Sequence, residues 1–224
     1  MRLLYCKIYI ASFTRSFLSY FLKVIGGLNM NIYQAVKKEK SHLKILIITM
    51  IIILIILPIV LIITGLTTMF YISYVIFIDL LIAIAIIIKM NSYRVEYRCS
   101  NNRLTFKVGI FAKEHLIICD KVTLVHTNKS DYDLEIVLIT SVIFKNKGLR
   151  PIDNNFLKRY PQIVDEYTDI KQQNKKRDYY FQVIKRGGLK KYLLLDSIYK
   201  NCVKAIYTDE SIQNIKIARG QLIV

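Results

Sequence analysis

Three sets of residues in this 224-residue chain carry side chains able to do chemistry. Asp79 is a lone carboxyl inside a long apolar run, where an ionisable group is costly and marks a candidate functional position. Lys175, Lys176 and Arg177 form one basic run, and Lys185, Arg186, Lys190 and Lys191 form a second, with Leu189 as an apolar wedge between its halves. Such clusters suit anionic lipid head groups or an acidic protein surface; the competing reading is a set of solvated loop charges. His115, Cys119 and His126 are close enough in sequence to suggest a metal site. Packing explains Cys119 as well as ligation does, however, and no metal ligand is assigned.

The signatures of catalysis are missing. There is no GxSxG, no P-loop, no HExxH and no closely spaced carboxylate pair in an apolar setting. Gly187-Gly188 follows no strand-to-helix phosphate motif and reads as turn geometry. Asp196, Asp209 and Glu210 read as helix caps. Neither an enzyme nor a bound cofactor is expected. Nucleic-acid binding has only the net charge of +17 behind it.

The elements that must position these residues begin with a hydrophobic block. The chain is 54% hydrophobic yet 22% charged, and the two are segregated: between Leu43 and Ile88 the only charged residues are Lys44 and Asp79. Residues 43–64 and 66–88 are runs of 22 and 23 residues, each about 33 Å long as a helix and matched to a hydrocarbon core of about 30 Å. Gly65 separates them, so a two-span hairpin is expected. Lys37, Lys38, Lys40 and Lys44 flank the first run against Glu39, Lys89, Arg94, Arg98 and Arg103 follow the second, and the turn has no Lys or Arg. The positive-inside rule then places both termini in the cytoplasm of a multi-pass protein of the cell membrane. Tyr71, Tyr74, Tyr93 and Tyr97 are interface anchors in this arrangement. Pro58 should kink the first span. Asp79, close to mid-bilayer, should be protonated or hydrogen-bonded, to Thr49 or to a neighbouring subunit, which leaves room for a homo-oligomer through the spans.

Residues 1–29 are aromatic and apolar, but Arg2, Lys7, Arg15 and Lys23 interrupt them and leave no clean amphipathic face. Met30 opens an ordinary lead-in over residues 30–42, so residues 1–29 read as untranslated upstream sequence or as an interfacial helix.

From Tyr93 to Val224 the chain is basic; from Lys89 onward 25 Lys and Arg stand against 14 Asp and Glu. This balance suits an anionic membrane surface, though a genome rich in Lys and Ile codons raises it too. The hydrophobic period shifts to two: Tyr93, Val95, Tyr97 and Cys99, then Leu104, Phe106 and Val108, predict a hairpin turning at Asn101-Asn102. Strands are also predicted at 116–120, 121–127 and 134–145, and a second hairpin pairs 179–185 with 190–195. Short helices follow Asp153, around Ile163, Tyr167 and Ile170, after Asp196 carrying Ile198, Cys202 and Ile206, and after Thr208 with Gly220 as the stop. Scattered cysteines without a CxxC fit a reducing compartment. The expected class is a membrane α-helical hairpin plus a cytoplasmic α+β domain with a mostly antiparallel sheet.

A helix pair followed by Tyr93-Arg-Val-Glu-Tyr-Arg-Cys-Ser-Asn-Asn-Arg-Leu-Thr-Phe-Lys-Val-Gly-Ile-Phe resembles the bacterial membrane-associated PH-like (YdbS-like) family, over Leu43 to Thr140. The resemblance implies a PH-like barrel with a scaffold or interaction role and no known enzymatic one; the C-terminal helices are read from the residues alone. The 151–173 segment and the final helices depart from it. The function expected is a membrane-anchored module docking a protein partner or an inner-leaflet anionic lipid; the alternative is a small transport or pore subunit using Asp79.

Overall fold

The computed structural model describes residues 31–65, 68–130, 133–144, 146–174 and 177–222; residues 1–29, Lys175 and Lys176 lie outside them. Two helices long and apolar enough to cross a membrane come first, α1 (Ile32–Ile63) and α2 (Met69–Tyr93). An α+β domain follows: β1 (Val95–Ser100), β2 (Arg103–Val108), β3 (His115–Ile118), β4 (Val122–Ser130), β5 (Asp133–Thr140), β6 (Arg150–Pro151), α3 (Asn154–Arg159), α4 (Val164–Gln173), β7 (Tyr180–Ile184), α5 (Lys190–Asn201), β8 (Ile206–Tyr207) and α6 (Asp209–Ala218).

The helices pair along a seam hidden in the sequence by its apolar uniformity. In α1 the half-buried stripe runs Leu43, Leu46, Met50, Leu54, Leu57 and Leu61, at steps of three and four, while Ile48, Ile52, Ile55 and Ile59 face outward. On α1, flexible Leu and Met side chains supply most of the seam and stiff β-branched Ile most of the outer face. The facing stripe of α2 includes Ile72, Val75, Asp79, Ile82 and Ile86.

The described strands form two sheets. One is antiparallel, β1-β2-β3; the other is mixed, in the order β6-β7-β5-β4-β8, with β8 parallel to β4. The expected barrel is therefore not closed among the described residues. The β1–β2 hairpin turns where the sequence indicates, with Ser100 opposite Arg103 and both Asn101 (φ 49°) and Asn102 (φ 62°) left-handed. Asparagine tolerates that region better than other side chains.

Strand β5 explains the layering. Leu134, Ile136 and Leu138 enter one core with β1–β3, α5 and α6, while Val137 and Ile139 enter a second with Phe156, Tyr160, Ile163, Tyr167 and Ile170. An unbroken apolar strand needs both faces covered, and the 151–173 segment supplies the second cover. Asp153 caps α3, its Oδ1 accepting from Phe156 N at 2.8 Å.

Two predicted elements are corrected. Residues 190–195 are not a strand paired with β7 but the first half of helix α5. Tyr192, Leu195 and Ile198 recur at three-residue steps and Leu194 lies beside them, which is a helical stripe on the first core. Asp196 consequently lies inside α5 rather than capping it, bonded to Lys200 one turn on and to Arg219. Ile206 is on no helix; it starts β8 at the edge beside β4.

Candidate functional site

The second basic run lies where α1, α2 and the domain meet. Helix α1 begins at Ile32, well before its apolar stretch, and Ile32 is 0% exposed in the domain core with Val36 packed beside it. Ile32, Val36 and Glu39 are spaced i, i+4, i+7, so they share one face of α1. The Glu39 carboxylate reaches the N-terminus of α5, accepting from Leu189 N at 3.0 and 3.3 Å. A carboxylate is favoured there because the first N–H groups of a helix lack partners within it and carry its positive end. Gly188 (φ 54°) allows the approach, since a Cβ there would stand 2.5 Å from Glu39 Oε1.

The end of α2 is tied to the same loop. Gly187 N donates to Ser92 O at 2.9 Å, and a Cβ on Gly187 would run into the Val95 side chain. Gly109 N donates to Arg94 O at 2.7 Å, and Ile110 N to Asn91 Oδ1 at 2.7 Å. Both helices thus enter the domain through hydrogen-bonded junctions.

This geometry divides the basic run. Arg186 is exposed; Lys190 is half-buried, with Nζ 3.5 Å from Val95 O. Lys191 is 0% exposed, and its Nζ donates to Lys185 O at 2.5 Å, so it cannot meet a lipid or a partner. Leu189 is no wedge either, because it packs on the core. Both corrections have one cause: residues 189–191 form the first turn of a docked helix. Arg177 is exposed near the opposite end of β7 and is not joined to this cluster.

Lys185 turns to another surface, a cleft of about 550 Å³ with Arg150, Arg159, Asn155, Phe181 and Gln182. Phe156 and Phe181 stack there, ring centroids 3.9 Å apart. Beneath it Asn146 bridges His115 Nδ1 (2.9 Å) and Gln182 Oε1 (2.8 Å). Glu135 lies 3.8 Å from Arg159 and 3.6 Å from Lys185 and accepts from Tyr160 Oη at 2.8 Å. Burial and that bond push the Tyr160 phenol up to about 12.

The metal-like trio separates. His115 faces Asn146, and His126 lies in β4 with Nδ1 3.0 Å from Thr208 Oγ1. Cys119 instead meets two thiols far away in sequence, Cys202 of the segment after α5 and Cys99 of β1, and all three are free. Hydrogen bonding from Cys202 and Cys99 brings Cys119 down to about 7 despite burial, whereas burial raises Cys99 to about 11. Cys202 is raised by its bond to Cys119 and by burial. No cluster of three or more His, Cys, Asp or Glu residues fit to hold a metal occurs among the described residues.

Asp79 lies on the α2 seam stripe, its Oδ1 sealed and without a hydrogen-bond partner among the described residues. Thr49 is not its partner: the Thr49 hydroxyl donates to Ile45 O of its own helix at 2.9 Å.

Sequence reasoning missed the Ile32–Val36–Glu39 face and the thiol cluster. The first had a signal in its spacing; the second had none, because only tertiary packing joins residues 99, 119 and 202. Comparison with protein-family models, curated proteins and solved structures finds no match for this chain.

Proposed function

We propose that the protein is a membrane-anchored interaction module whose cytoplasmic domain is held against the inner leaflet and engages anionic lipid head groups there. The observation that carries this reading is the junction of Glu39 with Leu189 and of Ser92 with Gly187. Glu39 lies about 8 Å below Lys44, where the apolar stretch of α1 begins, and Ser92 about 6 Å past Ile88. In this reading Arg186 lies at head-group depth, as do Lys37, Lys40, Lys44, Lys89 and Arg94. Each such cation near an anionic surface contributes about 1 kcal/mol. Both termini are cytoplasmic in this reading. Kinship with the membrane-associated PH-like family belongs to the same proposal and rests on the helix pair followed directly by the β1–β2 hairpin.

Native mass spectrometry of the full chain extracted from mixed-lipid membranes tests the idea. Charge reversal of Lys37, Lys40 and Arg186 should reduce retained anionic lipid several-fold and leave neutral lipid unchanged. Equal anionic retention in both proteins rejects it.

A protein partner is the second reading, favoured by the cleft that gathers Arg150, Arg159 and Lys185; co-purification lost on reversing those charges would support it. The remaining alternative, a small oligomeric transport or pore subunit, would gain support from loss of ion flux in Asp79→Asn at normal expression.

A further inference from the structure

Asp79 and Pro58 both interrupt the apolar regularity of the helix pair, and the structure puts them in the same seam. Pro58 lies inside a continuous α1 and has no N–H, so it offers nothing to the Leu54 carbonyl one turn earlier. Leu54 and Pro58 are both half-buried, so that gap lies on the seam side of α1. Leu54 precedes the end of α1 at Ile63 by nine residues, and Asp79 follows the start of α2 at Met69 by ten. At 1.5 Å per residue the two are about 14 and 15 Å from the turn, which is the same depth. One helix carries a carbonyl without its backbone donor, and the other a sealed carboxyl oxygen without a partner among the described residues.

The neighbouring hydroxyls are engaged elsewhere. Thr49 donates to Ile45 O, Thr64 to Val60 O and Leu61 O, and Ser73 to Met69 O. Between Leu43 and Ile88 the only other charged residue is Lys44, at the far end of the seam. In lipid no water reaches such groups, and each unsatisfied one is costly.

We propose that the Asp79 carboxylic acid donates a hydrogen bond across the seam to the Leu54 carbonyl, closing the gap that Pro58 leaves in α1. The bond requires the Asp79 side chain to rotate from the orientation in which its Oδ1 has no partner among the described residues. Asp79 is then a latch that lets the first helix carry a proline at mid-depth, and its acid is structural rather than part of an ion pathway. The inference rests on the two helices lying in lipid.

A mutant cycle on the full chain in detergent tests it, read as thermal unfolding midpoint, with resistance of each variant to alkaline extraction from membranes as a separate check on that placement. Asp79→Leu should lower the midpoint by about 2–6 °C. Asp79→Asn should stay near the parent, since its amide N–H can donate. Pro58→Ala restores the backbone donor, so Asp79→Leu in that background should cost nothing measurable. If Asp79→Leu alone does not accumulate, recovery in the Pro58→Ala background supports the latch. An equal loss in both backgrounds, failure of both to accumulate, or Asp79→Asn as damaging as Asp79→Leu overturns it.

Discussion

His126 shows how one residue carries a cost that the surrounding fold must absorb. It is 1% exposed in the middle of β4, with Thr208 on Nδ1 and, among the described residues, no partner on Nε2. Burial lowers its pKa below the ordinary 6.5, outweighing the opposing pull of Glu210, 3.9 Å away, and Glu166. The unfolded chain then takes up a proton below pH 6.5 that the folded chain refuses. His126 thus contributes no penalty above pH 6.5, and stability is lost as pH falls below it toward the depressed folded value. The thermal midpoint should fall between pH 7.5 and 5.5, and His126→Asn should flatten that part of the profile. A parent and variant with parallel profiles would show that other groups set the acid limb.

At the scale of elements, helix α5 depends on a residue about 150 positions earlier in the chain. Its first turn lacks a side-chain cap of its own, and Glu39 of α1 takes that place. Glu39→Ala should cost about 1–2 kcal/mol, as loss of a helix cap does, with Glu39→Gln milder. Gly188→Ala should cost about 1–3 kcal/mol, because it adds a Cβ against Glu39 and forces alanine into a left-handed conformation. Chemical unfolding of the two single variants and the double variant measures both. Additive losses would show that Glu39 and Gly188 do not share one contact. The same dependence explains why the sequence of residues 190–195 predicts a strand: a Lys-Lys start with no Ser, Thr, Asp or Asn before it carries no local helix signal.

At the scale of the molecule, the start of α1 and the domain share one core. Ile32 belongs to the buried core that also holds Val95, Leu195 and Ala218, so the boundary suggested by composition at Tyr93 does not coincide with the boundary of packing. A fragment of residues 93–224 loses Ile32, Val36 and Glu39 together. Large-to-small loss at a buried Ile alone costs about 2–5 kcal/mol. The fragment's thermal midpoint should therefore lie at least about 10 °C below that of the full chain. Equal midpoints would mean that the α1 extension only rests on the domain. A coupled hairpin and domain is also what an inner-leaflet module needs, since the basic loop is then presented at one depth.

The sequence alone determined the features set by local rules. Two apolar runs of spanning length, the Asn101-Asn102 turn, the Asp153 and Thr208 caps and the Gly220 stop all depend on residues within a few positions of one another, and the structure has each. Tertiary structure alone decided the rest. It set the described strands in two sheets with no closed barrel among them, joined Cys99, Cys119 and Cys202, buried Lys191, and gave Glu39 to α5. The physical reason is that a cap, a thiol contact or a seam partner can come from any part of the chain. The basic run at 185–191 shows the difference plainly: its charge was legible in the sequence, but which of its side chains reach solvent was fixed by a carboxylate from another helix.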